Sequence, residues 1–120
     1  MKKETPILIV EDEVLSAMSL QQDLKRSGYT NSSYVTTGED ALAQLQNDTA
    51  GLVIMDISLG GGMSGIETAE VIAADNKIPV ILASGYSYAD YKDRVEAIEN
   101  VVFLKKPIRK MELLKILESI

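Results

Sequence analysis

Short runs of aliphatic residues recur along the chain, and each is followed by a stretch in which apolar residues repeat with helical spacing. Runs that are apolar along their whole length are typical of strands buried on both faces of a parallel sheet. A more polar run at residues 31–35 predicts an edge strand instead. Strands that alternate with helices are joined by right-handed crossovers that cover both faces of the sheet. We therefore predict an α/β fold of the (βα)5 type, with strands at 7–10, 31–35, 52–55, 80–83 and 101–104.

Five helices are predicted from the apolar positions between and after these strands. The first ends at Gly28, and residues 37–40 provide a cap for the second. The fifth begins after Pro107. The apolar positions are Val14, Leu15, Met18 and Leu24 in the first helix, Ala41, Leu42 and Leu45 in the second, Ile66, Ala69, Val71 and Ile72 in the third, Tyr91, Val95 and Ile98 in the fourth, and Leu113, Leu114, Leu117 and Ile120 in the fifth.

Composition limits the chemistry that these 120 residues can perform. The length suits one domain over residues 1–120. The chain has no cysteine and no histidine, so thiolate and imidazole ligands, nucleophiles and bases are excluded. Its net charge is −6, without a long basic stripe, so we expect no direct binding to nucleic acid. Without a long apolar segment or a signal peptide, we expect a soluble, cytoplasmic chain that does not enter the membrane.

Polar residues follow four of the predicted strands. Three acids at 11–13 follow the first strand, Asp56 the third, Ser84 the fourth, and Lys105 and Lys106 the fifth. In open parallel sheets, ligands bind beyond the carboxyl ends of the strands. Clustered carboxylates raise each other's pKa unless a cation shares the space, and a hard divalent ion with oxygen ligands fits that requirement. The acids therefore predict a Mg²⁺ site.

The Glu11-Asp12 pair, Asp56, Ser84-Gly85 and Lys106-Pro107, each at the end of its strand, resemble the receiver domain of bacterial two-component response regulators. The resemblance covers essentially the whole chain. It implies a flavodoxin-like, doubly wound sheet of five strands in the order 2-1-3-4-5. The same fold serves other functions with other sites, so these residues carry the resemblance rather than the fold.

The resemblance implies that Asp56 is the nucleophile and the phosphorylation site, taking a phosphoryl group from a phosphohistidine to form an acyl phosphate. Glu11, Asp12, Asp56 and the backbone carbonyl of Ser58 would hold Mg²⁺, which neutralises charge on the transferring oxygens. Glu13 suits a solvated N-cap of the first helix better and is left out.

Two further residues would contact the phosphoryl group. The resemblance implies that Ser84 hydrogen-bonds a phosphoryl oxygen and that Lys106 pairs with the acyl phosphate, or with Asp56 before phosphorylation. We choose Lys106 over Lys105 because neighbours on a strand point to opposite sides and because the family's lysine directly precedes the proline. The Lys106–Pro107 bond is expected to be cis. Ser84 has the simpler alternative of a turn serine.

Phe103 occupies the place of the family's switch aromatic, whose rotamer follows the hydroxyl residue Ser84, although a plain core role is the alternative. The implied output is a changed protein-binding face formed by the fourth helix, fifth strand and fifth helix. The implied partners are a sensor histidine kinase or histidine phosphotransfer protein and a downstream protein target. We expect a monomer or weak homodimer, either standing alone or within a longer protein, and no enzyme activity beyond phosphotransfer and dephosphorylation of the domain itself.

Two segments depart from the family's pattern. The loop at residues 57–64 is one residue longer than usual, lacks the common proline and contains three consecutive glycines. Metal binding should survive, because Ser58 precedes the change. The bulky Tyr86, two residues past Ser84, would shield the acyl phosphate from water and slow its loss.

Three other functions fit these site residues less well. A pseudo-receiver that binds partners without phosphorylation is disfavoured by the complete set of acids, hydroxyl and lysine. A haloacid-dehalogenase-like phosphatase needs a second acid two residues after the nucleophile, where this chain has Ser58, a poor general acid. A flavodoxin-like flavin site would need a hydroxyl-rich phosphate loop after the first strand, where three acids would repel the cofactor.

Overall fold

A computed structural model describes residues 1–75, 78–85 and 88–120 of the chain. Strands and helices alternate, as the sequence predicts. A 3-10 turn at Tyr88–Asp90 precedes the fourth helix. The elements are β1 (Ile7–Val10), α1 (Val14–Arg26), β2 (Ser32–Val35), α2 (Gly38–Asn47), β3 (Leu52–Asp56), α3 (Gly65–Asp75), β4 (Val80–Ser84), α4 (Lys92–Glu96), β5 (Val101–Lys105) and α5 (Lys110–Ser119).

The strands form one parallel sheet in the order β2-β1-β3-β4-β5. The predicted α/β architecture, (βα)5 doubly wound with order 2-1-3-4-5, is confirmed. Strands β1, β3 and β4 are buried along their whole length. All five strands run in the same direction, so their carboxyl ends meet at one edge of the sheet.

The sheet separates two hydrophobic clusters. Side chains of successive strand residues point to opposite faces, so Leu8 and Ile9 lie in different clusters. The first cluster packs beneath α2, α3 and α4, and the second beneath α1 and α5. Each face of the sheet is therefore covered by its own group of helices.

Local capping explains where several helices begin and end. Thr37 Oγ1 accepts a hydrogen bond from the Asp40 amide at 3.0 Å, which confirms the predicted cap of α2. Ser64 and Glu67 form a reciprocal capping box at the start of α3, with both hydrogen bonds at 3.1 Å. Gly28 follows α1 with a φ of +96°, a conformation that glycine adopts without steric cost.

The predicted apolar face of α1 is correct at Leu24 and wrong at its other three positions. Val14, Leu15 and Met18 are 42%, 77% and 49% exposed, whereas Ala17 and Leu24 are buried. The helix turns its smaller residues toward the sheet, and its larger apolar side chains near the amino end face outward. The apolar spacing predicts a helix here but does not determine which of its faces packs on the sheet.

Two further expectations need correction. The run at 101–104 suggested a strand buried on both faces, but β5 is the second edge of the sheet, and Val102 is 41% exposed. Helix α4 is shorter than the spacing of its apolar residues predicts, and Ile98 lies in a turn past its end, where its amide donates to Val95 O at 3.1 Å. Val95 and Ile98 nevertheless both pack into the first cluster.

Within the described ranges, no helix combines the length and the apolar character that crossing a lipid bilayer requires.

Candidate functional site

Chemically active side chains converge where the strands end. Glu11 directly follows β1, Asp56 and Ser84 are the last residues of β3 and β4, and Lys106 directly follows β5. The parallel ladder continues past β5, because the Lys106 amide donates to Ser84 O at 2.8 Å. The backbone therefore brings residues from four strands to one place.

Lys106 joins two of the carboxylates. Its Nζ lies 2.9 Å from Glu11 Oε2 and 3.0 Å from Asp56 Oδ2. Glu11 and Asp56 are each 8% exposed, whereas the Lys106 side chain is 31% exposed, so water reaches the ion pairs from the lysine side. Lys105, the last residue of β5, is exposed, so the structure brings Lys106 rather than Lys105 to the acids.

Burial and charge shift the proton affinities of this cluster. Burial raises the pKa of Glu11 above its usual value, and the nearby charge of Asp56 raises it further, against the lowering effect of Lys106. Burial alone would lower the pKa of Lys106, but its hydrogen bonds to Glu11 and Asp56 outweigh that effect and raise it. The lysine is therefore held in its charged form.

Asp12 completes a group of acids whose geometry suits a cation. Glu11, Asp12 and Asp56 each offer a carboxylate oxygen, and these atoms lie within 4.8 Å of one another. Asp12 is exposed, whereas the other two are buried. An oxygen-only donor set with one face open to water fits Mg²⁺, which prefers oxygen ligands and retains several waters. Glu13 lies outside this group. It occupies the N-cap position of α1, but its side chain makes no capping hydrogen bond.

The start of the β3–α3 loop holds the Asp56 carboxylate. The Ser58 amide donates to Asp56 Oδ1 at 3.1 Å. Ile57 O accepts from the amides of Leu59 and Gly65, which closes the loop. Gly65 passes so close to the end of β3 that a Cβ at this position would overlap the backbone of Asp56 and Ile57. The Ser58 amide therefore lies beside the Asp56 carboxylate, and the role of the Ser58 carbonyl as a metal ligand stays a prediction.

Sequence reasoning missed two contacts that cross this loop. The Gly60 amide donates to Asp12 Oδ2 at 3.2 Å, and the Met63 amide donates to Glu39 Oε2 at 3.1 Å. Glu39 lies in the first turn of α2. An acid in the first turn of a helix is common, because it interacts favourably with the helix dipole, so no sequence signal distinguishes Glu39.

The predicted switch residues lie next to this site. Ser84 is completely buried, and Phe103 is half-buried against the first cluster. The Phe103 ring lies 4.9 Å from that of Tyr88, tilted by 54°, and the Tyr88 hydroxyl hydrogen-bonds Glu96 Oε1 at 3.3 Å. These contacts connect β5 with α4. Tyr86, the expected shield of the acyl phosphate, lies outside the described residues.

The peptide bond between Lys106 and Pro107 is cis, as expected. Beside it, a cavity of about 540 Å³ opens between α1 and the residues that follow β5. Glu11, Asp56 and Lys106 are among the residues that line this cavity.

The sequence is similar to several bacterial regulators. It is 29% identical to the transcriptional regulatory protein PdtaR of Mycobacterium tuberculosis, over 93% of this chain and 54% of that protein. It is 35% identical to the C4-dicarboxylate transport transcriptional regulatory protein DctD of Rhizobium meliloti, over 84% of this chain and 22% of that protein. The chain thus spans about half of the length of PdtaR and less than a quarter of DctD.

Solved structures show the same architecture. A CheY-like response regulator receiver domain from Methylobacillus flagellatus superposes with a TM-score of 0.85 at 26% identity, covering 97% of this chain and 98% of that one. The N-terminal domain of a response regulator from Carboxydothermus hydrogenoformans gives a TM-score of 0.84 at 28% identity, over 95% and 91% of the two chains. The profile of the response regulator receiver domain matches residues 7–118. This chain therefore belongs to the response regulator receiver domain family of two-component systems.

Proposed function

We propose that the chain accepts a phosphoryl group on Asp56, in a Mg²⁺-dependent reaction, and that the modification switches a protein-binding face. The observation that carries this proposal is the position of Asp56. Its carboxylate is buried at the end of β3, pairs with Lys106 at 3.0 Å and lies within 4.8 Å of oxygens from Glu11 and Asp12. A buried aspartate that faces both a fixed cation and a metal-binding acid cluster is equipped to receive a phosphoryl group.

The chemical step follows from these positions. A carboxylate oxygen of Asp56 attacks phosphorus, a new O–P bond forms, and the P–N bond to a donor phosphohistidine breaks, with its electron pair passing to the leaving imidazole. Glu11, Asp12, Asp56 and the Ser58 carbonyl would hold Mg²⁺, which would supply positive charge to the transferring oxygens. The Ser58 amide orients the nucleophile through its bond to Oδ1. No separate substrate is turned over, because the product is the modified domain.

The switch rests on two residues that already lie at strand ends. Once Asp56 is phosphorylated, the Lys106 ammonium pairs with the phosphoryl group, and the Ser84 hydroxyl donates to a phosphoryl oxygen. Phe103 then rotates toward the space that Ser84 leaves and repacks against Tyr88. Converting a population from 1:99 to 99:1 requires about 5.5 kcal/mol of differential stabilisation, which several charge-assisted hydrogen bonds provide together.

The partners follow from this chemistry. The 120 residues contain no histidine, so a phosphohistidine donor lies outside them, and the donor we propose is a sensor histidine kinase or a histidine phosphotransfer protein. The downstream target is a protein that recognises the face formed by α4, β5 and α5. Exposed apolar side chains at Val102 and Met111 on this face, 41% and 69% exposed, suit a protein partner.

The proposal is tested by intact mass spectrometry after incubation with acetyl phosphate and Mg²⁺. We expect one phosphoryl adduct on the wild-type protein and none when EDTA removes the metal. Asp56→Asn abolishes the adduct, because the amide is a poor nucleophile. Asp48→Asn, which alters an exposed aspartate at the end of α2, serves as the matched control and retains it.

Three results would contradict the proposal. An adduct that persists in Asp56→Asn places the modification elsewhere, and one that persists in EDTA removes the role of the metal. No adduct from acetyl phosphate or from phosphorylated histidine kinases would favour a receiver that binds partners without phosphorylation.

A further inference from the structure

The Gly60–Met63 segment, which carries the three consecutive glycines, is held near its two ends by acids from different parts of the fold. Its first amide donates to Asp12 of the β1–α1 loop, and its last donates to Glu39 of α2. Glycine has more backbone freedom than any other residue, so the segment cannot fix its own conformation. Contacts at both ends therefore decide where the Gly60 amide lies.

Asp12 needs such a contact more than the other acids do. Glu11 and Asp56 are buried and tied to Lys106, whereas Asp12 is exposed. The Gly60 amide binds one carboxylate oxygen of Asp12, which leaves the other oxygen and the remaining lone pair for a cation. Carboxylate ligands of metal ions are commonly oriented by hydrogen bonds of this kind.

We propose that Glu39 is a positioning residue for the acid cluster. By accepting a hydrogen bond from the Met63 amide, it fixes the Gly60–Met63 segment, whose Gly60 amide in turn orients Asp12 toward the cation. The inference rests on the proposed Mg²⁺ site and adds to it a residue that touches neither the metal nor the phosphoryl group. It makes the first turn of α2 a determinant of metal affinity.

The geometry around Gly62 supports this role. A Cβ at Gly62 would overlap the Glu39 carboxylate, so only glycine at this position lets the acid reach the Met63 amide without displacement. The far end of the loop is fixed independently, because Ser64 and Glu67 form the capping box of α3. Of the loop between Asp56 and Gly65, the Gly60–Met63 segment is therefore the part whose position depends on Glu39 and Asp12.

Three variants separate positioning from charge. Glu39→Ala removes both the acceptor and the charge, whereas Glu39→Gln keeps an oxygen acceptor and removes the charge. Gly62→Ala keeps the charge and displaces the contact, and Gly62 does not have a positive φ, so its backbone accommodates alanine. Asp40→Asn is the matched control, since it removes one acid from the adjacent, exposed position of α2.

The first measurement is amide hydrogen exchange by NMR on the metal-free protein. We expect the Met63 and Gly60 amides to exchange faster in Glu39→Ala and Gly62→Ala than in the wild type, with Asp40→Asn unchanged. This result does not depend on any metal. Equal exchange in all four proteins would overturn the proposed anchor.

The second measurement is the Mg²⁺ dissociation constant from NMR titration of backbone amide shifts. Glu39→Ala and Gly62→Ala should weaken Mg²⁺ binding about three- to tenfold. This loss is smaller than the roughly 10- to 100-fold loss of metal affinity that is typical when a group bonded directly to a metal-ligating side chain is removed. Glu39→Gln should fall between these variants and the wild type. An equal loss in Asp40→Asn and Glu39→Ala would show a general charge effect, and unchanged affinity in Glu39→Ala would overturn the inference. A wild-type protein that binds no Mg²⁺ would instead refute the proposed function, whatever the exchange rates of the loop.

Discussion

The ammonium of Lys106 lies 3.0 Å from Oδ2 of Asp56, and the partners of this pair come from the ends of β5 and β3. The same ammonium also binds Glu11 at 2.9 Å. Lys106 therefore balances the negative charge of two largely buried carboxylates at once. Its removal leaves both carboxylates without their cationic partner.

Lys106→Met should destabilise the metal-free protein at neutral pH by about 1–3 kcal/mol, because buried acceptors lose their charged donor. Urea denaturation in EDTA measures this change. Lys105→Met alters the exposed neighbour and should stay within about 0.5 kcal/mol of the wild type. Added Mg²⁺ should restore part of the loss in Lys106→Met, since a cation between the acids performs the same compensation. Similar losses in the two lysine variants would contradict this account.

Gly65→Ala should destabilise the fold by about 1–3 kcal/mol, the usual cost of forcing an extra methyl group into a packed site. The added Cβ would overlap the carbonyl oxygen of Asp56, a backbone atom that cannot move aside cheaply. Gly85→Ala is the control, because a Cβ there meets open space. Thermal or urea denaturation compares the two variants, and comparable stability would show that the loop yields to the methyl group.

Leu24→Ala should cost about 2–5 kcal/mol, as expected for a leucine that is 1% exposed. Leu15→Ala, on the same helix but 77% exposed, should change stability by no more than about 0.5 kcal/mol. Paired denaturation curves test the orientation of α1 directly. A larger loss from Leu15→Ala would mean that the helix is rotated relative to the sheet.

The capping box of α3 should weaken in acid. Hydrogen bonds from Ser64 hold the pKa of Glu67 below its usual value. A carboxyl group whose pKa is lower in the folded state contributes stability above its unfolded pKa and loses that contribution as pH falls through the folded value. Carbon-13 NMR titration should therefore give Glu67 a midpoint below that of an unperturbed glutamate.

Ser64→Ala removes the side-chain hydrogen bond to Glu67 but keeps the backbone one, so it should move this midpoint only part of the way toward the ordinary value. It should cost about 1 kcal/mol of stability at neutral pH, because the N-cap acceptor is lost. Thr37→Ala, which removes the cap of α2, is the control. It should cost a similar amount and leave the Glu67 titration unchanged. An unaltered Glu67 midpoint in Ser64→Ala would refute the coupling.

The positions of Asp56 and Lys106 followed from sequence because strand periodicity and sheet topology together determine them. Apolar runs mark the strands, parallel pairing brings their carboxyl ends to one edge, and alternation favours Lys106 over Lys105. Each step depends on local pattern or on a general rule of folds. The strand order itself came from the family resemblance, and the structure confirms it.

The orientation of α1 and the contacts of Glu39 could not be predicted in this way. Both depend on how one element is rotated or displaced relative to another, which side-chain packing decides after the elements have formed. Leu15 is more apolar than Ala17, yet Ala17 is fully buried and Leu15 is 77% exposed. The capping box at Ser64 is different, since its Ser-x-x-Glu spacing is readable from sequence.

The division of the core into two clusters has a mechanical consequence. Phe103 and Tyr88 pack into the cluster beneath α2, α3 and α4, whereas the side chains that seat α1 and α5 lie on the other side of the sheet. A rotation of Phe103 therefore changes the packing beneath α4 directly, whereas α5 is reached only through β5, whose Leu104 points to the other cluster. Strand β5 is thus the mechanical link between the two halves of the core, because its successive side chains pack on opposite faces of the sheet.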